Sequence, residues 1–171
     1  MARRVPWGEG FQRIPLLAFF VLVAATFPSV ASAAGSDMLV LSVDLLDGGD
    51  PVVRIPLDHE QRWILAWQHS VTGILVQDYF GVQEGWMVLE QSHMPSFDAG
   101  LGHIPGRGRL ESDGDHGYWV RDIDERIPGN RFVLRVGDEG VNDHTLIVGD
   151  EQVNLSRLVP RRRVVMTIGA P

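Results

Sequence analysis

Cysteine is absent from this chain of 171 residues. Its absence excludes disulfides, a thiol nucleophile, thiolate metal sites and a lipid-modified N-terminal cysteine. Lysine is absent too, so all 15 basic residues are arginine. Genome composition is the commoner cause of such a bias, and no function is read from it. The apolar run from Ile14 to Phe27 has 14 residues, short of the roughly 20 that span a hydrocarbon core as a helix. The chain also lacks a Gly-x-Ser-x-Gly elbow and any compact metal-binding motif.

The short apolar run instead reads as the middle of an export signal. Arg3, Arg4 and Arg13 form a basic start, and Ala31-Ser32-Ala33 supplies the small-x-small pattern cleaved by signal peptidase. The expectation is a signal peptide over 1–33 and a mature chain over 34–171 that is periplasmic or otherwise extracytoplasmic. An uncleaved anchor is the alternative. Arg3-Arg4 lacks the flanks of a twin-arginine signal, since Val5-Pro6-Trp7 follows. Removing 1–33 leaves 12 arginines against 21 acidic residues, a formal charge of −9. Such a surface repels phosphate backbones, so nucleic acid is not an expected partner. The remaining 138 residues suit one domain. Membrane attachment would come only from a retained signal segment or a partner.

Alternation predicts the fold. Leu39, Leu41, Val43 and Leu45 recur at every second position before the Asp47-Gly48-Gly49-Asp50 turn, and Val52 to Leu57 returns as a hairpin partner. Trp63, Leu65 and Trp67 alternate again, and Ile74 to Val82 pairs with Trp86 to Gln91 across Gln83-Glu84-Gly85. Further strands are expected over Gly117 to Asp122, Arg131 to Val136, His144 to Val148, Glu151 to Leu155 and Arg163 to Ile168. About ten short strands with no convincing helix predict an all-β antiparallel sandwich or barrel, a choice that spacing leaves open. His93 to Ser112, with Gly100, Gly102, Gly106, Gly108, Pro95 and Pro105, reads as a long loop, either a binding loop or a surface insertion.

Candidate chemistry gathers around that loop and one earlier turn. His69 falls on the face of Trp63, Leu65 and Trp67; such a histidine is more often a hydrogen-bonded core or strand-end residue than a pocket imidazole. Ser70 points to the opposite face of an extended strand, so His69 does not serve as its base. His93, Asp98 and His103 supply metal-ligand types, but in a glycine-rich loop solvated side chains are the commoner outcome. Asp113-Gly114-Asp115-His116 lacks the further ligands of a calcium loop and suits an acidic hairpin tip. Arg161-Arg162-Arg163 could meet an acidic partner, though solvated charge at an edge strand is more usual. Trp63, Trp67, Trp86 and Trp119 suit a core better than a sugar or peptide platform.

Gln68-His69-Ser70-Val71, the Tyr79-Phe80 hairpin, Ser96-Phe97-Asp98-Ala99-Gly100-Leu101, Arg135-Val136-Gly137 and a later His144 together resemble domain-of-unknown-function family 1850. The resemblance spans roughly Leu39 to Ile168. It implies a small bacterial exported or membrane-attached protein, commonly encoded beside a TAXI-type TRAP transporter for organic acids. Two departures stand out. Gln77-Asp78 occupies the segment where the family tends to carry glutamate, and Asp98 stands where its Phe-Gly-Ala-Gly-Leu-Pro loop has the first glycine, with Gly102 in place of the proline. The family has no established reaction, so no catalytic residue is carried over.

An exported accessory or binding protein is therefore the leading expectation, with a TAXI-type solute-binding protein or TRAP permease as possible partner. His69, Ser70, Asp98 and His103 would form its recognition surface, with Asp78 orienting an imidazole or accepting a ligand hydrogen bond. A metal-dependent periplasmic enzyme using His69, His93, Asp98 and His103 is the alternative from another class. A structural envelope β-domain is the third. Binding is favoured over catalysis, and no cofactor is implied.

Overall fold

A computed structural model describes residues 38–58, 60–96, 106–114 and 117–171. Among them, twelve strands follow in chain order: β1 (Leu39–Leu45), β2 (Pro51–Leu57), β3 (Trp63–Gln68), β4 (Leu75–Gln83), β5 (Trp86–Met94), β6 (Arg109–Ser112), β7 (Tyr118–Arg121), β8 (Glu125–Arg126), β9 (Arg131–Arg135), β10 (Thr145–Val148), β11 (Glu151–Asn154) and β12 (Arg163–Gly169). One helical turn, α1 (Leu155–Leu158), is capped by Asn154, whose Oδ1 accepts from the Arg157 amide at 2.9 Å. The expected signal segment lies outside the described residues.

The strands make two antiparallel sheets, ordered β2-β1-β12-β9 and β11-β10-β3-β4-β5-β7-β6, with β8 added to β5. Period-two alternation decides which side chains meet between them. From the smaller sheet come Leu41, Val43, Val53, Ile55, Val164 and Met166; from the larger, Trp63, Leu65, Phe80, Met87 and Leu146, all in one buried cluster. Trp63 stacks on Phe80 at 5.7 Å, and Phe80 stacks on Phe132 at 5.5 Å. Phe132 belongs to β9, so this aromatic stack crosses from one sheet to the other. Asn130 ties the same end together: its Oδ1 accepts from the buried Met87 amide at 2.8 Å and its Nδ2 donates to the Gly85 carbonyl at 2.8 Å.

The arrangement is a sandwich and not a closed barrel, because the outer strands of the two sheets do not pair with one another. Three local expectations are corrected. His93–Met94 continue β5 and Arg109–Ser112 form β6, so both ends of the expected loop are sheet. Glu125–Arg126 adds a strand too short for periodicity to reveal. Leu155 ends no strand; it opens α1 and is fully buried. The larger sheet also carries a bulge, where Tyr79 opposes Gln91 and Phe80 opposes Leu89, leaving Glu90 without a partner.

Candidate functional site

β3 ends in a tight turn that the chain builds from its own groups. The His69 amide donates to the Ile74 carbonyl at 2.9 Å, and the Gly73 amide donates back to the His69 carbonyl at 2.7 Å. Gly73 has a φ of +68°, a conformation that glycine adopts without cost. Nδ1 of His69 accepts from the Val71 amide at 3.3 Å and lies 3.3 Å from Thr72 Oγ1. One nitrogen of His69 is thus spent on its own turn. Ser70 sits exposed at the tip.

A second segment is stitched onto this one. The Gln68 amide donates to the Asn142 carbonyl at 2.6 Å, and Asn142 Nδ2 donates to the Gln68 carbonyl at 3.1 Å. Gly137 packs so tightly against Asn142 that a Cβ there would come within 2.3 Å of the Asn142 Cβ. Between the turn and the 137–142 segment lies a cleft of about 400 Å³, lined among others by Ser70, Arg135, Asp138, Asn142, His144 and Arg161.

His144 is the buried wall of this cleft, 7% exposed. Its amide donates to Ser156 Oγ at 2.9 Å, and its carbonyl accepts from the Leu155 amide at 2.8 Å, which fixes the backbone. The ring lies nearly parallel to Trp67, at 6.3 Å and 11°. Burial pushes its pKa below the ordinary imidazole value, with Asp143 opposing the shift in part. The Gly137 amide donates to Nδ1 at 3.1 Å, so the neutral ring carries its proton on Nε2. An imidazole in that tautomer donates from Nε2; it does not accept a proton there from a serine. Ser70 therefore has a base in neither histidine.

Asp78 stands deeper, facing inward opposite Leu65 and Ser92. Its Oδ2 accepts from Trp67 Nε1 at 3.1 Å and its Oδ1 accepts from Ser92 Oγ at 2.6 Å. The carboxylate thus orients an indole, and that indole in turn touches His69 at 6.2 Å and His144. Asp98 and His103 lie outside the described residues.

His93 is on the other face of the larger sheet, opposite Gln77 and Trp119. It pairs with Asp113 Oδ2 at 2.9 Å and packs on Trp119 at 4.6 Å. His69 extends the inner face of Trp63, Leu65 and Trp67, so these two histidines are not placed to share one ion. Among the described residues no group of three His, Asp or Glu could hold a metal ion. The tryptophans form no common platform either: Trp63 is core, whereas Trp119 lies on the outer face beneath Arg121 at 3.9 Å.

The structure brings Ser70 and the His69 turn to the cleft and adds Arg135, Asn142, His144 and Arg161, of which the sequence offered Arg161 only as part of a charged run. Arg135-Val136-Gly137 and His144 had nevertheless appeared among the residues carrying the family resemblance. No curated protein and no solved structure matches the chain. A family model described as "Domain of unknown function (DUF1850)" matches residues 64–155, from the second position of β3 to the first of α1, and so takes in the His69 turn, β9, the 137–142 segment and His144. That match covers more than half of the 171 residues, and the chain belongs to the DUF1850 family.

Proposed function

We propose that this protein is an exported binding module that works beside a TAXI-type TRAP transporter, with the cleft of Ser70 and His144 as its recognition surface. The observation that carries the binding reading is the Gly137 to His144 hydrogen bond, which leaves the cleft with a fixed proton donor and no imidazole base for its serine. Membership of the family supports the transporter setting, and the signal-like 1–33 segment supports export.

Affinity capture from the native envelope tests this reading. The tagged mature chain, crosslinked in place, is expected to recover the solute-binding protein or the permease. Recovery of neither, with the tagged chain exported and folded, overturns the transporter assignment. N-terminal sequencing of the exported form checks the export step, with Ala34 as the expected first residue.

A further inference from the structure

Nine of the twelve arginines of the described residues have a carboxylate within bridging distance, among them Arg54 with Asp44, Arg62 with Glu90, Arg107 with Glu125, Arg126 with Glu84 and Arg161 with Asp138; Arg131 and Arg157 have none among those residues but do not line the cleft. Arg135 has no carboxylate within bridging distance among the described residues, and it lines the cleft. In a mature chain of formal charge −9, an unmatched guanidinium at a concave site is an electrostatic exception. Such a group attracts an anion, and its planar fork suits a carboxylate in particular.

We infer that the cleft between the His69 turn, the end of β9 and the 137–142 segment binds the carboxylate group of a small monoanion, with Arg135 as its principal cation. Charge selects the class. Of the charged lining residues, Arg161 is neutralised by Asp138 at 3.0 Å, which leaves a net charge of one from Arg135. A monocarboxylate balances that charge, whereas a phosphate dianion would leave one negative charge facing Asp138. The walls add neutral donors: the Ser70 hydroxyl, and Nε2–H of His144 held by Gly137. A cleft of about 400 Å³ is within the range of small-molecule sites and leaves room for the organic part of the ligand.

The inference deepens the binding reading above and fails separately from it. Amide NMR titration of the mature chain with isobutyrate, and with phosphate at matched ionic strength, is the test. Isobutyrate is expected to give saturable shifts at Gly137, Asn142 and His144, with phosphate weaker. Arg135→Gln should lower the isobutyrate affinity at least tenfold, the scale of one lost charge-assisted hydrogen bond. Arg131→Gln, on the same strand but away from the cleft, should leave it unchanged. Both arginines are exposed, so both variants should keep the wild-type amide spectrum elsewhere. Absence of saturation, equal or tighter binding of phosphate, or indifference to Arg135→Gln each overturns the site. Transporter capture is read independently: capture without titration removes this site alone, and titration without capture supports the site while removing the transporter.

Discussion

The Gly137 amide points at Nδ1 of His144 across 3.1 Å, and protonation of that ring would set two donors against each other. Burial already disfavours the charged form. The folded pKa is therefore depressed below the unfolded value of about 6.5. Above that pH the ring is neutral in both states, and its contribution to stability is complete. As pH falls below it, the unfolded chain takes up the proton first and stability declines until the native ring is protonated as well. Urea midpoints should drop as pH falls through about 6.5, the unfolded value. His144→Gln should be less stable at neutral pH and show a shallower drop; an identical pH slope would contradict the assignment.

Asp78→Ala leaves the Trp67 indole N–H and the Ser92 hydroxyl without their acceptor. The expected loss is about 1–3 kcal/mol in chemical denaturation. Because Trp67 is one of those donors, Trp67→Phe should relieve part of the loss in the double variant, and additivity of the two changes would argue against the coupling.

The Trp63-Phe80-Phe132 stack predicts a large cost for its central member. Phe80→Ala should destabilise by about 3–5 kcal/mol, while Phe80→Leu, which keeps most of the apolar volume but loses the ring contacts, should cost roughly 1–2 kcal/mol. Thermal and urea unfolding of the two variants would separate burial from stacking.

Asn130 has a φ of +54° and bonds both Met87 and Gly85. Asn130→Gly keeps the backbone at ease but leaves the buried Met87 amide unpaired, for about 1–3 kcal/mol. Asn130→Ala adds left-handed strain of roughly 1–2 kcal/mol, so alanine should be the worse of the two. The reverse order in urea denaturation would mean that the hydrogen bonds do not hold this corner.

Much of the sandwich was legible because buried faces write a period of two into the sequence. Leu41-Val43 and Val164-Met166 are examples, each flanked by residues that are not buried. What escaped notice had no such signal. β8 is two residues long, and β6 is exposed at every position, so neither carries a hydrophobic rhythm. The cleft was legible in part. His69 and Ser70 drew attention because they share a motif, but His144 lies 74 positions beyond Ser70 and Arg135 lies 65 beyond it. Only the pairing of β10 with β3, and the place of β9 at the edge of the other sheet, make them neighbours. Asp78 was read as a candidate orienting group, and what it orients is the indole between two imidazoles.

Glu90 is a phase shifter for β5. Side chains of a strand alternate strictly, and the unpaired residue adds half a period midway along it. Upstream, odd-numbered Met87 and Leu89 face the core; downstream, even-numbered Ser92 and Met94 do. Deleting Glu90 would leave a regular ladder in which Gln91, Ser92 and His93 keep Tyr79, Asp78 and Gln77 as partners; pairing Glu90 into the ladder with the upstream register held would instead turn the downstream half by one face. Gln91 would then face inward opposite Asp78, and Ser92 would turn to the outer face opposite Gln77. The bulge at Glu90 thus determines which chemistry each side of the larger sheet displays.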